Sequence, residues 1–204
     1  MSGNEPSQFS ILTVAVIGAG TAGRSFALAC VSAGFHVVLE DVMPANLRRA
    51  QDEFSSLTNA GAPRLDSETW EQQPPNPGSL STALTVEDAV RNADLAIDFV
   101  PDELESKLEI FSMLDRMAPP HTILLTPSDA QSITDLASCT YRPDRCFAIR
   151  DGLSAGSPAH LVHSPHPNEA ALAATAAFLH ALDCVVEIEC DPIAPMLVKN
   201  HPRT

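Results

Sequence analysis

Residues 11–25 read ILTVAVIGAGTAGRS, an apolar run that ends on a cluster of three glycines. The run Ile11–Ile17 has the length of a strand and lacks the spacing of an amphipathic helix. Gly18, Gly20 and Gly23 then fit the pattern GxGxxG, and a helical stretch follows to about Ala33, closed by Gly34. Each glycine has a physical task. The first permits a tight turn, the second lets backbone come close to a pyrophosphate, and the third lets helix and strand pack closely. The helix opening at Thr21 and Ala22 presents unpaired N–H groups and the positive end of its dipole. Strand, glycine turn and helix together restrict the chain to folds that cradle a dinucleotide, with Gly18, Ala19, Gly20, Thr21, Ala22 and Gly23 as contacts.

A second buried strand, HVVLE at 36–40, is followed by Asp41. A carboxylate at this point accepts hydrogen bonds from the adenine ribose and repels a 2′-phosphate, so NAD is expected rather than NADP. Glu40 would do the same if the strand ended one residue earlier.

The rest of the chain alternates short apolar runs with helical periods. A helix is expected from Pro44 to about Leu57, then a Pro-, Ser- and acid-rich stretch over 59–82. The segment VEDAVRNA leads into the strand DLAIDFV at 94–100. Leu104, Leu108, Phe111, Leu114 and Met117 fall on one face of a helix over 103–118, stopped by Pro119 and Pro120. HTILLT, a short helix around SITDLAS, RCFAIR, HLVHS, a helix over 168–182 and CVVEIE complete the pattern. This predicts an α/β, Rossmann-type doubly wound, mostly parallel sheet with extra edge strands, as one domain over 1–204 with residues 1–10 flexible.

Composition narrows the partners. The formal charge is −14, and only Lys107 and Lys199 are lysines. No basic cluster exists for nucleic acid, and no apolar run is long enough for a membrane span. The N-terminus, MSGNEPSQFS, lacks the order of a signal peptide, and five cysteines without CxxC spacing suit a reducing cytoplasm.

The blocks VAVIGAGTAGRSFALACVSAGFHVVLED, AVRNADLAIDFVPDELESKLEIFSMLD, HTILLTPSDAQSITDLA and RPDRCFAIRDG resemble, in order and spacing, the L-3-hydroxyacyl-CoA dehydrogenase family, over about residues 12–200. The resemblance implies its NAD-binding domain, with Val100, Pro101, Asp102, Lys107 and Ser128 beside the cofactor. A second, helical domain that completes the family's substrate site and dimer would begin at DPIAPMLVKNHPRT, so the chain is expected to be either a single-domain relative or a fragment. The family's CoA-holding hairpin falls at 59–82, which has Arg64 as its one basic residue.

The family's chemistry uses a histidine base oriented by a glutamate. The resemblance sets Arg150 at the histidine position and, with a one-residue shift, His163 at the glutamate position. The Ser-Asn-Thr-Ser block becomes Thr126-Pro127-Ser128-Asp129, and Leu153 replaces an asparagine. Arginine stays protonated near neutral pH and is no base. Two readings stay open for Arg150 and His163. They form a rearranged catalytic pair, with Asp129 or Asp151 assisting and Arg150 clamping a carboxylate, or Arg150 belongs to a structural ion pair. Lys107 is either a cofactor contact or a solvated helix lysine near Glu103. His160, His163 and His166 do not point to one place on a strand, so no metal is expected. Ser154 and Ser157 lack a nucleophile elbow, and Cys139 and Cys146 read as packing thiols. An NAD-dependent oxidoreductase acting on an unidentified small substrate and a non-catalytic NAD-binding module both remain open, as a homodimer or with a partner chain.

Overall fold

The computed structural model describes residues 9–60, 78–152 and 158–197. Its elements run β1 (Thr13–Ile17), α1 (Thr21–Ser32), β2 (His36–Glu40), α2 (Pro44–Ala60), β3 (Ser79–Ala83), α3 (Val86–Val90), β4 (Leu95–Asp98) and α4 (Leu104–Met117). The second half follows as β5 (Ile123–Pro127), α5 (Ile133–Ala137), β6 (Cys146–Arg150), β7 (Pro158–His163), α6 (Glu169–Ala181) and β8 (Val185–Cys190).

The eight strands form one sheet in the order β3-β2-β1-β4-β5-β6-β7-β8. β3 to β6 are parallel, β7 is antiparallel to β6, and β8 is parallel to β7. This is the expected doubly wound sheet with extra strands at one edge. Its order reverses between β1 and β4, and a cofactor crevice opens at such a switch point, beyond the strand C-termini.

Side-chain alternation along the strands builds two cores. Val14, Val16, Leu39, Ile97, Leu125 and Phe147 face α1, α2 and α6, meeting Phe26, Leu47 and Phe178. Ala15, Ile17, Ala96, Leu124 and Ala148 face α3, α4 and α5, meeting Val90, Phe111, Leu114 and Leu136. Both faces being covered explains why the strands read as continuous apolar runs.

The structure adds one strand and corrects one helix face. SLSTA at 79–83, at the end of the Pro-, Ser- and acid-rich stretch and not assigned to an element from the sequence, is the edge strand β3, paired in parallel with β2. A short, half-polar strand resembles a loop, because only one side of it is paired. On α4 the most buried positions are Lys107, Ile110, Phe111, Leu114 and Asp115, while Met117 is exposed. The helix is rotated so that a lysine faces inward, which a count of apolar residues cannot anticipate. Residues 1–8, and the stretch 61–77 that contains Arg64, lie outside the described residues, as do Leu153, Ser154, Ser157 and Lys199.

Candidate cofactor site

The glycine turn joins β1 to α1 at the centre of the sheet. Gly18 has φ +99° and donates its N–H to the Glu40 carbonyl at 2.9 Å. A Cβ on Gly23 would stand 1.9 Å from the Gly18 carbonyl oxygen, so only glycine lets α1 pack this closely. A Cβ on Gly20 would meet nothing within 4 Å. The space over Gly20 is therefore open, and no side chain caps α1 there. An uncapped helix N-terminus under an open cradle fits a pyrophosphate.

Asp41 follows β2 and is buried. Its Oδ2 accepts from the Ala19 N–H at 2.8 Å and from Asn46 Nδ2 at 3.0 Å, and its Oδ1 from the Met43 N–H at 2.7 Å. A carboxylate has about four acceptor positions, so Oδ1 keeps room for one hydroxyl. Asp41 thus braces the glycine turn. Glu40 is in register with Ile17 and Ala83, within the sheet. Burial pushes its carboxyl upward, and the Asp41 charge adds to the effect.

Across the switch point, a cleft of about 240 Å³ is lined by Val100, Pro101, Ser106, Glu109, Ile110 and Met113. Asp102 joins the segments that follow β4 and β5. Its carboxylate accepts from Ser128 Oγ at 2.6 Å and from the N–H groups of Asp129 and Ala130 at 3.0 and 3.2 Å. Lys107 is not a solvated helix lysine. It is fully buried, and Nζ donates to Asp98 Oδ1 at 2.8 Å, Thr126 Oγ1 at 2.9 Å and the Pro127 carbonyl at 3.1 Å. Burial raises the Asp98 carboxyl against the pull of the Lys107 ammonium.

Arg150 and His163 do not face each other. The antiparallel register sets Arg150 opposite His160, and His163 opposite Phe147, three residues away along β6. His163 instead donates from Nδ1 to the Ser164 carbonyl at 2.7 Å. Arg150 donates to Asp191 Oδ1 and to the Gln131 carbonyl, each at 3.3 Å, and Glu189 lies 3.9 Å away. Of the two readings left open for Arg150, the geometry is that of the ion pair. Asp191 is the hub, since its carboxylate also accepts from Ser132 Oγ at 2.7 Å and from the Thr134 N–H and Oγ1 at 2.9 Å. Burial pushes Asp191 upward, but the hydrogen bonds from Thr134, Ser132 and Ile193 outweigh it and hold the carboxyl below the usual range.

Asp151 and Asp129 also take other partners than expected. Asp129 Oδ1 accepts the Asp151 N–H at 3.1 Å, and Asp151 Oδ2 lies 3.3 Å from His160 Nε2. The His160–Asp151 pair and Asp191 were not singled out for these contacts by the sequence, because strand register and the path after β8 create them. Among the described residues, no group of three His, Cys, Asp or Glu converges to hold a metal. No described helix is long and apolar enough to cross a membrane.

A doubly wound sheet with a glycine turn, an uncapped helix and an acid after β2 defines a dinucleotide-binding protein. The profile of the 3-hydroxyacyl-CoA dehydrogenase NAD-binding domain matches residues 13–151, and the chain belongs to that family. Its cofactor is NAD. Over 143 residues it is 34% identical to a probable 3-hydroxybutyryl-CoA dehydrogenase of Bacillus subtilis (strain 168), covering 68% of this chain and 48% of that protein. It is 35% identical over 144 residues to the 3-hydroxyadipyl-CoA dehydrogenase of Escherichia coli (strain K12), covering 69% of this chain and 29% of that protein. The chain therefore spans about half the length, or less, of these relatives. The crystal structure of 3-hydroxybutyryl-CoA dehydrogenase from Escherichia coli K12 superposes with a TM-score of 0.72 at 22% identity, over 89% of this chain and 39% of that one, and shows the shared fold.

Proposed function

We propose that this chain binds NAD(H) without the proton-abstracting dyad of its family, and acts as an NAD-responsive module, either a sensor or a subunit of a larger assembly. The observation that carries this is the state of Arg150, which donates at 3.3 Å to Asp191 and sits at the position the resemblance gives to the catalytic base. A guanidinium stays protonated at neutral pH and takes no proton from a hydroxyl. An anchored cation beside a buried carboxylate is also a poor clamp for a substrate carboxylate. The five free cysteines support a reducing cytoplasmic setting. The assembly would be a homodimer or a complex with a partner chain.

The test is a calorimetric NAD titration followed by assay of NADH formation with a panel of 3-hydroxyacyl-CoAs and free hydroxy acids. NAD binding without turnover is the expected result. NADH formation above background by the wild-type chain would sink the non-catalytic reading.

One observation favours an active dehydrogenase instead. The His160–Asp151 pair places an imidazole against a carboxylate directly across the ladder from Arg150. Both relatives above carry dehydrogenase names. On this reading a hydroxyacyl substrate loses its proton to His160, and His160→Gln abolishes turnover while His163→Ala does not.

A further inference from the structure

The ends of β4 and β5 are held by one buried ammonium. Lys107, in the first turn of α4, meets Asp98 on β4 and both Thr126 and Pro127 on β5, so its three N–H groups are all taken. Neither the Lys107 nor the Asp98 side chain is accessible beyond 1%. Asp98 Oδ1 also accepts from the Val100 N–H at 3.3 Å, while Oδ2 is buried without a partner.

Stability is a weak reason to keep such a pair. Desolvating two charges cancels much of their attraction, and apolar side chains of similar volume are often as good or better. Geometry is a stronger reason. One point on α4 sets the spacing of two adjacent strand ends. Beyond them the chain opens into 100–102 and 128–131, the segments that Asp102 ties together at the surface. In a doubly wound site the adenylate half lies by the glycine turn and the acid after β2, and the other half lies across the switch point, over β4 and β5.

We propose that Asp98 and Lys107 are a positioning pair for the nicotinamide half of the cofactor site, acting through the β4 and β5 ends without touching the cofactor. This inference rests on NAD binding. It assigns Lys107 a different task from direct contact, and it separates the two halves of the cofactor experimentally.

The experiment compares the intact chain with the double variant Asp98→Leu/Lys107→Met and with Thr126→Val, titrating each with NAD and with AMP and recording thermal melts. The double variant should melt close to the wild type and bind AMP within twofold of it. Its NAD affinity should fall at least tenfold, toward that of AMP. Thr126→Val, which removes one acceptor, should lower NAD affinity severalfold and leave AMP unchanged, and it keeps the test decisive if the double variant fails to fold. Unchanged NAD affinity in a folded double variant, or in Thr126→Val, overturns the inference. Equal losses for AMP and NAD overturn it too, since they report a general structural role. A wild-type chain that binds neither ligand fails on the cofactor reading itself, and this inference falls with it.

Discussion

Gly20 and Gly23 lie three residues apart in one turn, yet a methyl group would meet opposite surroundings at the two. At Gly20 it enters open space from an extended backbone that any residue adopts; at Gly23 it strikes the Gly18 carbonyl at 1.9 Å. Gly20→Ala is therefore expected to change folding stability by less than about 1 kcal/mol while lowering NAD affinity at least tenfold. Gly23→Ala is expected to lose roughly 1–3 kcal/mol of stability, because the turn must move. Thermal melts and NAD titration of both variants check this; a Gly20→Ala protein that binds NAD normally contradicts the cradle. These two roles were legible in the sequence because they depend on spacing within one strand, turn and helix. The acid at position 41, directly after β2, was legible, but its bonds to Ala19, Met43 and Asn46 were not. They depend on how α2 starts after β2.

At the scale of elements, α4 shows how polar groups set a helix's rotation. Lys107 turns inward at its first turn, and Arg142 closes its last. The Arg142 guanidinium pairs with Asp115 at 2.8 Å and donates to the carbonyls of Asp115, Ala118 and Pro119. Removing it strands a buried carboxylate and several carbonyls. Arg142→Ala is thus expected to lower stability by on the order of 3 kcal/mol, read from urea unfolding midpoints. The junction of β8 with α5 depends on Asp191 in a pH-dependent way. Its carboxyl is held below the unfolded value of about 3.9, so the stability it contributes is present above that pH and lost as pH falls through the folded value. The stability gap between wild type and Asp191→Asn should narrow between about pH 7 and pH 3. A gap that stays constant over that range would show that Asp191 does not act through its charge. Neither arginine's partner could be read from the chain. Asp115 and Asp191 are distant in sequence, and folding alone brings them within reach.

For the molecule as a whole, NAD binding should appear as stability. A ligand held only by the native state at about 100 times its Kd adds about 2.7 kcal/mol, so NAD should raise the melting temperature clearly, and NADP should raise it far less because Asp41 repels a 2′-phosphate. Equal shifts with both cofactors would remove Asp41 from the selection. The class of fold, the glycine cradle, the acid after β2 and the identity of the cofactor were determined by the sequence itself, since each follows from residues close together in the chain and from the apolar pattern of strands buried on both faces. Tertiary structure decided the rest. The antiparallel return of β7 set His160 rather than His163 opposite Arg150, the inward turn of α4 made Lys107 a buried clamp, and the path after β8 brought Asp191 to Arg150. The physical reason is the same in each case. A charged side chain takes whichever partner lies within a few ångströms once the backbone is placed, and only packing and strand register place it.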